Sequence, residues 1–112
     1  MADLDADQVV GLLLTNDRLR VFVRGGRIAT IPARLARRRL LLDIVAQGFE
    51  PGVRYPEQVV SSFLAKLNDD HAALRRYLVD EGFLSRDHGE YWRTAGTVDT
   101  LAPADPPGEA AR

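Results

Sequence analysis

The stretch NDDHAALRRYLVDEGFLSRDHGEYWR, residues 68–93, decides the fold, because it spells a capped helix running straight into a β-hairpin. Asn68, Asp69 and Asp70 offer short side-chain acceptors suited to the first free amides of a helix. Leu74, Tyr77 and Leu78 then recur at i, i+3 and i+4, the spacing of one helix face. Gly82 supplies a left-handed stop. Phe83-Leu84-Ser85-Arg86 and Glu90-Tyr91-Trp92-Arg93 follow as two strands around Asp87-His88-Gly89.

Upstream of this unit, Tyr55-Pro56 opens another helix, whose apolar positions are Val59, Val60, Phe63, Leu64 and Leu67. A turn, Phe49-Glu50-Pro51-Gly52, separates it from a helix expected to start at Pro32 and stop at Gly48. Leu40, Leu41, Ile44 and Val45 form the expected buried stripe of that helix. Arg34, Arg37 and Arg38 lie on the same side but nearer the N-terminus, so the basic end must project past the core or lie against an anion. Further upstream, LRVFVRGGRIATI alternates with period two around Gly25-Gly26, as in a tight hairpin. Its register sets Arg24 against Arg27, Val23 against Ile28, Phe22 against Ala29 and Val21 against Thr30, with Val21, Val23 and Ile28 on one face. Asp3 to Leu14 reads as a first helix with acids at its positive end and Val9, Leu12 and Leu13 at helical spacing, ended by Asn16 and Asp17.

At 112 residues, 46% hydrophobic and 28% charged, the chain has the length and composition of one ordinary folded domain. The division expected is an N-terminal helix over 1–17, a winged-helix-like domain over 18–93, and a flexible Pro-rich tail over 94–112. No cysteine is present, which excludes disulfides, thiolate nucleophiles and thiolate metal sites. The start, MADLDADQVV, has no basic flank and no long apolar run, and nothing approaches a membrane span, so a cytoplasmic protein without membrane contact is expected.

A hairpin, three helices and a terminal hairpin is the order of an α+β, helix-dominated winged helix-turn-helix carrying an extra N-terminal helix and hairpin. In that arrangement the last helix enters the major groove and the wing lies along the backbone or minor groove. The charge distribution agrees with an anionic partner: residues 18–54 carry nine arginines against Asp43 and Glu50, a net +7 inside a chain of net −1. The alternative is a solvated helix surface. Fourteen of the fifteen bases are arginine, whose planar fork suits phosphate.

Particular residues carry a family resemblance. The segments Gly26-Arg27-Ile28-Ala29-Thr30-Ile31-Pro32, Arg37-Arg38-Arg39, Phe49-Glu50-Pro51-Gly52, Tyr55-Pro56-Glu57, Asn68-Asp69-Asp70-His71, Leu74-Arg75-Arg76-Tyr77-Leu78-Val79-Asp80, Gly82-Phe83-Leu84 and Tyr91-Trp92-Arg93 together resemble the bacterial domain of unknown function 2087. The resemblance spans about two-thirds of the chain. Domains of this kind stand alone or are appended to helix-turn-helix regulators of the arsenic-repressor type, which implies a role near transcription. At the wing, Asp87-His88-Gly89-Glu90 stands where an Asp-Gly-containing turn is commoner.

The expected function is therefore a DNA-binding transcriptional regulator acting on double-stranded DNA as a homodimer; the alternative is a winged-helix module for protein interaction or dimerisation. The extra apolar residues Val9, Leu12, Leu13 and Leu14 of the first helix suggest the dimer surface. In the helix around 70–81, Leu74 and Leu78 point inward and leave Ala72, Ala73 and Arg76 outward, flanked by His71 and Arg75. Arg75 and Arg76 can fork onto a guanine edge or a phosphate; otherwise they pair with Asp69, Asp80 or Glu81. Arg34, Arg37, Arg38 and Arg39 are candidate phosphate contacts, as are Arg86 and Arg93 on the wing. Arg24 and Arg27, face to face at a hairpin tip, repel each other and sit more easily beside phosphate.

Tyr91 and Trp92 point to opposite sides of one strand, so one of them belongs to the core. His71 and His88 lie in different elements without HxxxH or HxH spacing and make no metal-ligand set. With no GxSxG, P-loop or GxGxxG either, no catalytic residue, cofactor or enzymatic activity is expected.

Overall fold

Asp5 accepts hydrogen bonds from the amides of Asp7 and Gln8 (3.0 and 3.2 Å) and so starts α1, Ala6–Leu14, in the computed structural model, which describes residues 4–94. The helix begins three residues later than its acids suggest, because the Asp5 side chain caps it. It buries Val9, Val10 and Leu13, and Leu12 is turned outward with Leu14. The expected tail lies, from residue 95 onward, outside the described residues.

The chain then makes a 3-10 turn, Arg20–Phe22, and a hairpin of only two residues per strand, β1 (Val23–Arg24) and β2 (Arg27–Ile28). Gly25 and Gly26 both adopt positive φ (63° and 75°), as a two-residue hairpin turn requires, and the register pairs Val23 with Ile28 and Arg24 with Arg27. Phe22 still accepts from the amide of Ala29 (2.7 Å). Val21, however, is 69% exposed and does not share a face with Ile28, since the 3-10 turn breaks the alternation before it.

The hairpin is fastened to the other half of the chain. Asn68, itself buried, donates from Nδ2 to the Ile28 carbonyl (2.6 Å) and accepts from the Asp70 amide (2.8 Å). Arg27 donates to Asp69 Oδ1 (2.6 Å) and to the carbonyls of Ala65 and Lys66. The Arg24–Arg27 repulsion is thus relieved inside the protein, because Arg27 turns toward a helix end and a carboxylate.

Next comes α2, Leu35–Ala46, which starts three residues after Pro32, with Arg34 as its N-cap residue. Its buried residues are Leu41, Leu42, Val45 and Ala46, and Leu40 and Ile44 are only partly buried. The run of three leucines leaves the helical phase open, and the observed rotation of about one residue sets Arg38 against α4. Gly48 does not take a left-handed conformation; space demands it. A Cβ there would lie 2.9 Å from Phe63 Cζ and 3.0 Å from Val9 Cγ2, where three elements converge.

Tyr55–Pro56 forms a short strand, β3, and Pro56 is also the N-cap residue of α3 (Glu57–Leu67), so the helix opens at the proline as expected and the strand is the addition. The helix is followed by α4 (His71–Asp80), β4 (Leu84–Asp87) and β5 (Glu90–Arg93). The second sheet is antiparallel with strand order β3-β5-β4. Val60, Phe63, Leu64 and Leu67 of α3 are buried, and Val59 is exposed. Asp70 caps α4 by accepting from the Ala73 amide (3.1 Å), and Gly82 leaves the helix with φ 84°. The β4–β5 turn is His88-Gly89, both at positive φ (51° and 78°), so histidine fills a position that asparagine or glycine usually takes.

One apolar cluster joins α1, α2, α3, α4 and both sheets, and the fully buried Phe49 belongs to it. The Phe49 ring meets Tyr55 and Phe63 edge-on, each at 5.3 Å. The architecture is α+β and helix-dominated, with four α-helices and two small antiparallel sheets among the described residues. None of these helices is long and apolar enough to cross a membrane.

Candidate nucleic-acid interface

The outward face of α4 and the adjacent side of the β4–β5 hairpin enclose a groove of about 210 Å³. From α4 it is lined by Ala72, Arg75, Arg76, Val79 and Asp80, and from the hairpin by Arg86 and Tyr91. Helical geometry brings the first five together, because positions 72, 75, 76, 79 and 80 are one, three and four residues apart on one face. Ala73, expected outward, is instead buried against the core, since it follows Ala72 by about 100° around the axis.

Three guanidiniums face one carboxylate in the groove, and they are held differently. Arg75 donates from Nη1 to Ser61 Oγ on α3 (2.6 Å), which fixes its fork. Arg86 lies over the Tyr91 ring, 5.8 Å from its centroid. Arg76 is exposed and has neither an ion pair nor a hydrogen bond among the described residues. Tyr91 is the core member of the Tyr91-Trp92 pair: its side chain is buried and its hydroxyl donates to Glu57 Oε1 (3.1 Å). Burial, then the hydrogen bond to Glu57 and the charge of Glu57, push its pKa up. Trp92 is partly buried under Arg54, whose guanidinium carbon stands 4.1 Å from its ring centroid.

The acids of α4 and its flanks do not pair with Arg75 or Arg76. Asp69 holds Arg27, Asp70 caps the helix, and Glu81 receives Arg39 (2.8 Å) and Arg38 (3.6 Å) from α2. Asp80 has no ion pair among the described residues. The anion against which the basic end of α2 lies is therefore Glu81, 42 residues further along the chain from Arg39.

The remaining sequence-derived candidates are scattered. Arg38 is folded onto the Tyr77 ring (4.7 Å) and donates to the Ala33 carbonyl (3.0 Å), and Arg39 lies over Phe83 (5.1 Å). Arg34, at the N-cap of α2, and Arg37, in its first turn, are exposed with no ion pair among the described residues. Arg93 donates to the Phe49 carbonyl (3.1 Å), and burial lowers its pKa although the charge of Asp43 works the other way. His71, at the start of α4, is partly buried, and its Nδ1 has no hydrogen-bond partner among the described residues. The groove therefore gathers Arg75, Arg76 and Arg86 and leaves the other six candidates outside it. Asp80, named from the sequence only as a possible partner of Arg75 or Arg76, lines the groove unpaired, and its i+4 spacing from Arg76 was the available signal. No group of three or more potential metal-ligating side chains occurs among the described residues.

A family model described as "Uncharacterized protein conserved in bacteria (DUF2087)" matches residues 27–93. The chain belongs to this family. In the DUF2087 chain the matched region runs from β2 to the last residue of β5, so it contains the whole groove and its supporting helices. Comparison with curated proteins and with solved structures gave no match.

Proposed function

We propose that this DUF2087 protein is a DNA-binding transcriptional regulator of the winged-helix type. In this reading α4 is the recognition helix, the β4–β5 hairpin is the wing, and arginines in the groove between them meet phosphate. The observation that carries it is the convergence of Arg75, Arg76 and Arg86 on one concave face built from a helix and the hairpin behind it. The element order α2-β3-α3-α4-β4-β5 supports the winged-helix part, since a short strand between the first two helices pairs with the hairpin, as that arrangement requires.

The acidity of the chain around α4 speaks less against DNA than its composition suggests. Asp69, Asp70 and Glu81 are engaged within the protein, and the groove keeps three positive groups against Asp80. No catalytic role is part of this reading, and a cytoplasmic location goes with it. A homodimer belongs to it as well, with Leu12 (39% exposed) and Leu14 (47%) on the outer side of α1 as its apolar contact. The same pair of leucines favours the second reading, a module that binds protein without touching DNA.

Titration of a fluorescent random duplex of about 20 base pairs at rising salt separates the two readings. The regulator reading expects tight low-salt binding whose logarithm falls linearly with the logarithm of salt. A flat, weak response from a protein shown to be dimeric leaves only the interaction module.

A further inference from the structure

We infer that the outward face of α4 reads a G·C-containing step, with Arg76 donating to guanine and Asp80 accepting from cytosine. This rests on the DNA-binding reading of the groove and deepens it. Ala72, Arg76 and Asp80 follow one another at intervals of four, all three are exposed, and all three line the groove. Arg76 and Asp80 stand four residues apart in the less favourable order, base before acid, and form no ion pair among the described residues. Arg75, the other arginine of the face, is tied to Ser61, and the neighbouring acids are tied to Arg27, the helix cap and α2. Among the described residues, the groove face of α4 therefore presents one free donor fork, Arg76, and one free acceptor, Asp80.

The chemistry of base edges then selects the partners. A guanidinium fork matches the two adjacent acceptors O6 and N7 of guanine, whereas the N6 amino group of adenine opposes it. A carboxylate can only accept, so it needs an amino group. Cytosine offers N4 with no acceptor of its own beside it in the major groove, and adenine sets its N7 acceptor next to N6. A free carboxylate also lowers affinity for any phosphate it approaches, so its place is over bases and not over the backbone. One helical turn between residues 76 and 80 is about 6 Å, against roughly 3.4 Å per base-pair step, so the two contacts fall one or two steps apart. Ala72 adds no polar demand and lets the helix approach closely.

The test is selection by the full chain from a randomised duplex pool of about 20 base pairs, followed by titration of the selected duplex and of an A·T-only duplex. The wild type is expected to enrich G·C pairs at two positions one or two steps apart, and to prefer the selected duplex by roughly tenfold or more. Arg76→Ala removes the donor fork and should flatten the guanine position. Asp80→Asn should move its position from cytosine toward adenine, because an amide matches N6 and N7 of adenine. A merely structural Asp80 would not redirect a base preference. Salt-dependent binding of the pool without G·C enrichment, or an unchanged motif with Asp80→Asn, overturns base reading and leaves the regulator standing. Absence of salt-dependent binding overturns both.

Discussion

Replacing Glu81 with glutamine removes the charge that holds the basic end of α2 against α4 while keeping the size of the side chain. Glu81 Oε1 lies 2.8 Å from Arg39 Nη1 and Oε2 lies 3.6 Å from Arg38 Nη2. The Glu81 and Arg38 side chains are 18% and 16% exposed, whereas Arg39 is 47% exposed, so the Arg38 pair is only weakly screened and the Arg39 pair is partly open to solvent. Exposed pairs contribute about 0–1 kcal/mol, and stripping one partner from a buried pair costs about 3–5 kcal/mol. Glu81→Gln falls between these limits, at about 2 kcal/mol, because Arg38 loses its counter-charge and Arg39 keeps an amide acceptor. For a domain of this size that corresponds to roughly 10 °C in Tm. Urea and thermal unfolding followed by circular dichroism measure it, and a cycle with Arg38→Met should show coupling of about 1 kcal/mol or more. A loss under about 0.3 kcal/mol, or strict additivity with Arg38→Met, would refute the clamp.

Three further outcomes are expected. Gly48→Ala should destabilise the fold by about 1–3 kcal/mol in urea, since the added methyl meets Phe63 and Val9 at 2.9 and 3.0 Å; a neutral result would mean that the α1-α2-α3 junction is looser than described. The Tyr91 pKa is raised in the folded state, so the folded protein holds the phenolic proton more tightly. Its contribution is complete below about pH 10 and is lost as pH rises through the raised value, so Tyr91→Phe should make stability fall less steeply above about pH 10. Identical slopes in denaturation series for the two proteins would remove that assignment. Leu12→Ser with Leu14→Ser should turn a dimer into a folded monomer in sedimentation at micromolar concentration, and an unaltered dimer would place the contact elsewhere.

The part of the fold most legible in the sequence is the part with local signals. Asp70, Leu74, Leu78 and Gly82 specify α4 within about three turns, and the Gly25-Gly26 turn sets the first hairpin register with no distant information; at the second hairpin the expected loop Asp87-His88-Gly89 is one residue too long, since Asp87 ends β4 and pairs with Glu90. β3 was illegible because two residues cannot display alternation, Pro56 signals the opening of α3, and the partner strand β5 lies far along the chain. The phase of α2 was open because Leu40, Leu41 and Leu42 leave no unique stripe, and tertiary contacts made the choice. For the site, the helix face was readable and the partners of its charges were not. Glu81 stands beside Asp80 in sequence, yet one reaches back to α2 and the other stays in the groove. Charge counting treats the two alike; only the packing of α2 on α4 distinguishes them.

The central claim, that the groove between α4 and the β4–β5 hairpin receives duplex DNA, is tested most directly by amide NMR of the isotope-labelled full chain during titration with a duplex of about 20 base pairs at low salt. Shift changes should concentrate at Ala72, Arg76, Val79, Asp80 and Arg86 and fade as salt rises, while α1 and the half-buried end of β5 at Arg93 stay unchanged. Changes confined to α1 or to the first turn of α2, with α4 and the hairpin silent, would contradict it.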